Sequence, residues 1–267
     1  NSAKEAFAVK NLLKKRGLIL RILKNKKKIN KNIQSEAREI RYKLLLNYCN
    51  KHKIKFIMTG HHRDDQIETF LIRLSRGSGI QGLSSMSRIT RLNNETKLFR
   101  PLLNEKKESL IFLAKNYYGK VFKDPSNDNQ KYLRTKIRNL IKQFEKSGIN
   151  RDRIITSINN LASTRDTLNS YIKKIEKKCL LKKRDNISIN LKFFLLENTD
   201  VQIKIFSNSI KHISKNYYPP RAKKVLNLIS RVKTKKDLKV TLGGCVVNKR
   251  QNNLTIFKEE SKKTKKL

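Results

Sequence analysis

His61-His62-Arg63-Asp64-Asp65-Gln66-Ile67-Glu68 places two histidines and three carboxylates within eight residues. Imidazole beside carboxylate can hold Mg²⁺, grip a metal already bound to phosphate, or move protons. His61 and Asp65 are four apart, as are Asp64 and Glu68, so each pair shares a face if a helix begins here. The plainer reading is that first-turn acids cap a helix and the histidines are solvated turn residues. That reading suffices for one His or one Asp; the crowding of five such groups favours chemistry.

The flanking sequence supplies the elements that must position these groups. Ile54–Met58 reads as a strand, with Phe56-Ile57-Met58 as its buried apolar run. From Ile67 the residues Ile67, Phe70, Leu71 and Leu74 recur at helical spacing. Arg76-Gly77-Ser78-Gly79 reads as the helix stop. The cluster therefore lies in a strand-to-helix turn, where open α/β sheets bind ligands at the carboxyl ends of their strands.

The net charge of +43 over 267 residues predicts attraction to a polyanion, most simply nucleic acid. Abundant Lys, Asn and Ile would also follow from codon bias in an AT-rich genome. The length suits two domains. No apolar run approaches the ~20 residues of a membrane span, and no signal peptide opens the chain. No membrane association and a cytoplasmic location are therefore expected. The chain opens on Asn1 rather than methionine, so an incomplete N-terminus is expected. Cys49, Cys179 and Cys245 are far apart and read as small buried residues rather than ligands.

In chain order, Ala3–Lys15 reads as a helix stopped by Gly17, and Leu18–Leu23 as a strand. Residues 24–32 form a basic loop, and Ile33–Asn50 a helix carrying Arg38 and Arg41. Gly77–Gly82 is glycine-rich and either cradles phosphate or turns the chain. Leu98–Leu102 reads as an edge strand because of Pro101, Leu110–Tyr118 as a helix, and Asp124–Asn127 as a turn. Arg134 and Arg138, one helical turn apart, form either a phosphate clamp or an exposed basic face. Arg151–Lys183 reads as a long helix. Tyr217–Arg221 breaks the chain before a helix at Ala222–Val232. Leu238–Leu242, Cys245–Asn248 and Leu254–Phe257 form an antiparallel meander with turns at Gly243-Gly244 and Asn252-Asn253. The lysine-rich end from Lys258 is expected to be disordered. The order of helices and strands predicts an α/β fold with a doubly wound, mostly parallel sheet. A helical linker and a small α+β domain follow it.

His61-His62-x-Asp64-Asp65-Gln66-x-Glu68-Thr69, with Arg76-Gly77-Ser78-Gly79 and Gly82-Leu83, resembles the tRNA(Ile)-lysidine synthetases of the PP-loop ATP pyrophosphatase class. The stretch Asn32–Tyr42, Arg100-Pro101-Leu102, Asp124–Asn127 and Leu242–Cys245 extend the resemblance over nearly the whole chain. It implies an ATP- and Mg²⁺-dependent carbon–nitrogen ligase. The wobble cytidine of tRNA(Ile) with a CAU anticodon is adenylated at its C2 oxygen, then attacked by lysine, giving lysidine and AMP. By the same resemblance His61, Asp64, Asp65 and Glu68 are catalytic, with Asp65 as metal ligand. Arg76, Gly77, Ser78 and Gly79 border the ATP pocket, and Arg38, Arg134 and Arg138 meet phosphate or RNA. Residues 1–145 would be an incomplete PP-loop domain, and 151–267 a helical linker with a tRNA-binding domain.

The family's Ser-Gly-Gly-x-Asp-Ser phosphate loop does not occur in this sequence. The resemblance thus implies that a strand-loop-helix-strand unit of ~40–70 residues is absent, with weak ATP binding and poor solubility as consequences. Two other readings stay open: a non-catalytic RNA-binding protein, and a metal-dependent phosphohydrolase. A homodimer is one assembly the sequence leaves open.

Overall fold

The computed structural model describes residues 2–25, 33–93, 95–122, 132–215 and 219–259. The chain divides into two compact units, Asn1–Arg165 and Asp166–Leu267.

In the first unit, α1 (Ser2–Lys14) and α2 (Ile33–Lys51) precede β1 (Phe56–Met58), α3 (Arg63–Leu74) and the single turn α4 (Ile80–Leu83). Then come β2 (Ile89–Arg91), β3 (Lys97–Phe99), α5 (Lys107–Tyr118), α6 (Leu133–Lys146) and α7 (Arg151–Cys179), inside which the division between units falls. The sheet order is β1-β3-β2, with β1 parallel to β3 and β2 antiparallel to it. The class is α/β, and the described sheet is mixed, with one parallel and one antiparallel pair. β3 is central rather than an edge strand. It can be, because Pro101 lies two residues past Phe99, where its missing N–H costs no ladder bond.

Leu18–Leu23 is not a strand. A strand needs a hydrogen-bonded neighbour, none of the described residues pairs with this run, and Ile19 is 91% exposed. Gly17 ends α1 as expected, with φ +69°. Asp124–Asn127, most of the basic loop, Tyr217, Tyr218 and the lysine-rich end lie outside the described residues. No helix among the described residues is long and apolar enough to cross a membrane.

α3 forms where the spacing predicts. Ile67 and Leu71 are buried and meet Ile137 and Ile141 of α6. Leu74, expected on the same face, is exposed at the last turn. A second cluster joins Cys49 of α2, Ile57 of β1 and Leu98 of β3.

In the second unit α7 gives way at Leu180 to β4 (Leu180–Lys182), earlier than the expected helix end at Lys183. β5 (Asn186–Asn190), α8 (Leu191–Phe194), α9 (Thr199–Ser214), α10 (Ala222–Thr234), β6 (Asp237–Leu242), β7 (Cys245–Arg250) and β8 (Asn253–Lys258) follow. The expected meander is part of a five-stranded antiparallel sheet, β4-β5-β8-β7-β6. Its first turn is Gly243-Gly244, with φ +64° and +78°, the geometry a tight hairpin demands. A Cβ on Gly243 would also come within 3.0 Å of the Ile210 side chain. The second turn is Gln251-Asn252, one residue earlier than the spacing suggests, because Arg250 pairs with Asn253. The alternating Ile187, Ile189, Leu254 and Ile256 face Val201, Ile205, Phe206 and Ile210 of α9, and Val225, Leu228, Ile229 and Val232 of α10. Each such fully buried side chain contributes about 1.5–3 kcal/mol. The buried ammonium of Lys249 donates to the carbonyls of Val232 and Lys235 at 2.7 and 2.5 Å, capping the last turn of α10.

Candidate functional site

β1 ends at Met58, and residues 59–62 turn the chain into α3. The Thr59 N–H donates to the Phe99 carbonyl at 3.0 Å, extending the β1–β3 pairing by one bond. The Arg63 N–H donates to the Glu105 carbonyl at 3.0 Å. The His62 N–H donates to Asp65 Oδ2 at 3.0 Å, so Asp65 satisfies a donor that the helix start leaves free. The plain capping role is thus real for Asp65, and His62 Nε2 also stands 3.6 Å from the same oxygen. His61 Nδ1 lies 2.8 Å from Thr59 Oγ1, which fixes the ring.

The His61 pKa is held below its ordinary value, first by burial. Asp65 pulls it up, while Arg100, Arg38 and Arg134 push it down. Guanidinium groups from α2, the end of β3 and α6 therefore act on one imidazole that stays neutral near pH 7. Such a ring can accept a proton or a hydrogen bond.

The other two carboxylates are spoken for. Asp64 Oδ2 is 3.0 Å from Arg151 Nη1, and Arg151 also binds Glu145 through its Nε at 2.6 Å. Glu68 is buried, with Oε1 accepting from Arg138 Nε at 2.5 Å and Oε2 standing 3.8 Å from Arg134 Nε. Arg138 is thus hydrogen-bonded to Glu68, whereas Arg134 stays half-exposed and only approaches the same carboxylate. Asp64 and Glu68 do share a face, as their spacing predicts. With Lys107, Glu108, Arg138, Lys142 and Arg151 they line a cleft of about 170 Å³. That volume is below the ~300 Å³ at which small-molecule pockets begin, so this cleft alone does not enclose a nucleotide.

Arg76, Gly77, Ser78 and Gly79 are placed elsewhere. They follow the C-terminus of α3, roughly 18 Å along its axis from Asp64 at 1.5 Å per residue. They are absent from the lining of the cleft. Gly77 has φ +66° and the turn is largely exposed, as a helix stop requires. Arg38 is exposed on α2, its guanidinium 5.1 Å from the Tyr42 ring. Sequence reasoning gave no role to Arg100, Gln66 or Arg151. Arg100 and Gln66 stood inside quoted motifs, whereas Arg151 carries no local signal.

A PP-loop domain profile matches residues 1–144. The tRNA(Ile)-lysidine synthase of Wolbachia pipientis wMel is 34% identical over 265 residues, covering 98% of this chain and 61% of that protein. Those of Orientia tsutsugamushi (strain Boryong) and Rickettsia bellii (strain OSU 85-389) are each 34% identical, over 241 and 236 residues. This chain belongs to the PP-loop family. It spans 54–61% of the length of these relatives.

PP-loop membership implies ATP, which raises the question of its metal. Among the described residues no three His, Cys, Asp or Glu side chains converge as a metal cage. Asp64 and Glu68 are committed to arginines, which leaves Asp65 with one carboxylate oxygen engaged by His62. A lone carboxylate does not hold Mg²⁺ by itself, but it fits an ion whose other ligands are substrate phosphates and water. The same shortage of ligands weighs against a phosphohydrolase built on a protein-held metal.

Proposed function

We propose that the protein uses ATP to join lysine to C2 of the wobble cytidine of tRNA(Ile) bearing a CAU anticodon, through an adenylated intermediate. The observation that carries this reading is the turn at His61–Asp65. A fixed neutral imidazole and a part-buried carboxylate sit there beside three arginine charges, in a chain matched along 98% of its length to a lysidine synthase.

The division of labour follows from the charges. Arg138 and Arg151 neutralise Glu68 and Asp64, so the anionic triphosphate is not repelled by three open acids. Arg38, Arg100 and Arg134 then supply the positive field a polyphosphate or an RNA backbone needs. Asp65 would hold Mg²⁺, which when bound offsets phosphate charge. His61, kept neutral, accepts the proton that the lysine nitrogen sheds as it bonds to C2, or orients the cytidine. The large positive charge of the chain favours tRNA capture, with residues 151–267 gripping RNA through phosphate contacts and shape. A tRNA substrate is consistent with a cytoplasmic reaction.

The test is AMP release by the protein encoded by the complete reading frame, measured with and without lysine and a tRNA(Ile) transcript. Nucleoside mass spectrometry is the second readout. AMP and lysidine should appear only with both substrates present, and Asp65→Ala should abolish lysidine while tRNA binding persists. Full lysidine formation by Asp65→Ala removes the site assignment. Tight tRNA binding without AMP release would instead support the non-catalytic RNA binder.

A further inference from the structure

The segment running from Gly82 to Arg88 is tied to its surroundings at nearly every residue. Gln66 Nε2 donates to the Met86 carbonyl at 3.0 Å, and the Met86 N–H donates to Gln66 Oε1 at 2.8 Å. One side-chain amide thus pairs with both backbone groups of one residue, as a neighbouring strand would. Ser85 Oγ donates to the Gln66 carbonyl at 3.0 Å. Arg73 Nη1 donates to the carbonyls of Gly82 and Ser85 at 2.7 and 2.9 Å. Arg100 Nη1 donates to the Ser87 carbonyl at 2.6 Å, and the Arg100 N–H to the Arg88 carbonyl at 2.9 Å. Ser84 and Ser85 are almost fully buried, and Ser85 has φ +55°, a left-handed conformation that costs a non-glycine residue roughly 1 kcal/mol.

These contacts close a ring around the turn described above. His61 bonds Thr59, and Thr59 bonds Phe99, the chain neighbour of Arg100. Arg100 bonds Ser87, next to Met86, and Met86 bonds Gln66, the chain neighbour of Asp65. The segment is therefore linked to the His61–Asp65 turn through Gln66, the neighbour of Asp65, and through Arg100, whose charge acts on His61, although no residue in it belongs to the acid-and-imidazole cluster.

We propose that Gln66 and Arg73 are positioning residues, holding segment 82–88 in a strained, fixed conformation linked to the His61–Asp65 site. The proposal rests on the reading of that turn as the ATP-consuming site. Gln66 acts only with both a donor and an acceptor at its tip. Glutamate keeps the acceptor for the Met86 N–H and loses the donor; leucine loses both. Lysine at position 73 keeps the charge and can reach a carbonyl; methionine keeps only the packing.

The experiment compares Gln66→Leu, Gln66→Glu, Arg73→Met and Arg73→Lys in the protein encoded by the complete reading frame. Segment-resolved hydrogen exchange and steady-state kinetics with tRNA(Ile), lysine and ATP are the readouts. Gln66→Leu and Arg73→Met should each speed exchange in residues 82–88 and raise the KM for ATP roughly tenfold, the loss expected of one buried hydrogen-bonding group. Arg73→Lys should recover most of the Arg73→Met defect, and Gln66→Glu should fall between wild type and Gln66→Leu. A merely structural role would lower the folded fraction, and so kcat, with the KM for ATP unchanged. That result, or unaltered exchange in residues 82–88, overturns the proposal. Should Gln66→Leu not fold, Gln66→Glu carries the comparison. A wild-type protein that consumes no ATP with tRNA and lysine refutes the proposed reaction instead, and exchange in residues 82–88 still decides whether the clamp exists.

Discussion

In the second unit, side chains from β5, β7, β8, α9 and α10 enclose one continuous apolar cluster, with Phe194 and Phe206 meeting edge-on at 5.7 Å. In the first unit most of the buried apolar side chains among the described residues fall into two small groups, around Ile67 and around Ile57, with Leu103 and Ile158 outside both. The sheet strands there are three residues long, and Phe56, Met58 and Ile89 remain exposed on them. What fixes the first unit near its site is polar: Glu68 with Arg138, Gln66 with Met86, Arg100 with Ser87. One unit is stabilised by dry burial, the other by a network of charges and backbone contacts. Burial suits a scaffold, because it involves no titrating group and no fixed charges to be screened. A polar network suits chemistry, because it holds charges at set distances, at the risk of large penalties when one partner is lost.

Three perturbations would break or sharpen that contrast. The largest effect is expected from Phe206→Ala, which empties a fully buried aromatic site and should cost about 3–5 kcal/mol. Hydrogen exchange should then rise across residues 186–258 and leave Ile67 and its neighbours protected. Equal loosening of both units would mean that the contrast in packing has no energetic meaning. Next comes Glu68→Ala, which strands a part-buried guanidinium. Loss of a charge-assisted bond of this kind costs about 1.5–3 kcal/mol. Chemical denaturation of the double variant Glu68→Ala/Arg138→Ala should show less destabilisation than the two single variants added together. Simple additivity would show that the pair is not coupled.

The smallest effect concerns pH. Burial holds His61 below its ordinary pKa of 6.5, so the unfolded chain takes up this proton first as pH falls. The contribution is complete above the unfolded value and is lost as pH drops from there through the folded value. Denaturant unfolding at about pH 7.5 and about pH 5.5 should therefore show wild type losing more stability than His61→Gln. A larger loss in His61→Gln would reverse the sign and contradict a buried neutral ring.

The helix over Arg63–Leu74 was legible because its period, its first-turn acids and its glycine stop are all local. The hairpin at Gly243-Gly244 was legible for the same reason. β5 escaped notice although Ile187 and Ile189 alternate, since five polar-flanked residues between a long helix and α8 give little signal. Leu18–Leu23 misled in the other direction: its composition suits a strand, but composition does not supply a neighbour. At the site, the sequence marked His61, Asp64, Asp65 and Glu68 as a group. It did not distinguish the carboxylates Asp64 and Glu68, which arginines engage, from Asp65.

The amino-acid order alone determined the acid-rich helix start, the excess of positive charge and the turn chemistry, because each depends on residues a few positions apart. The tertiary structure decided the rest. Arg138 reaches Glu68 across seventy positions, Arg151 reaches Asp64 across more, and β3 sits between its neighbours instead of at an edge. Those outcomes depend on which segments pack together, and loop closure allows a distant partner nearly as cheaply as a close one. Separation along the chain therefore says little about which arginine finds which carboxylate.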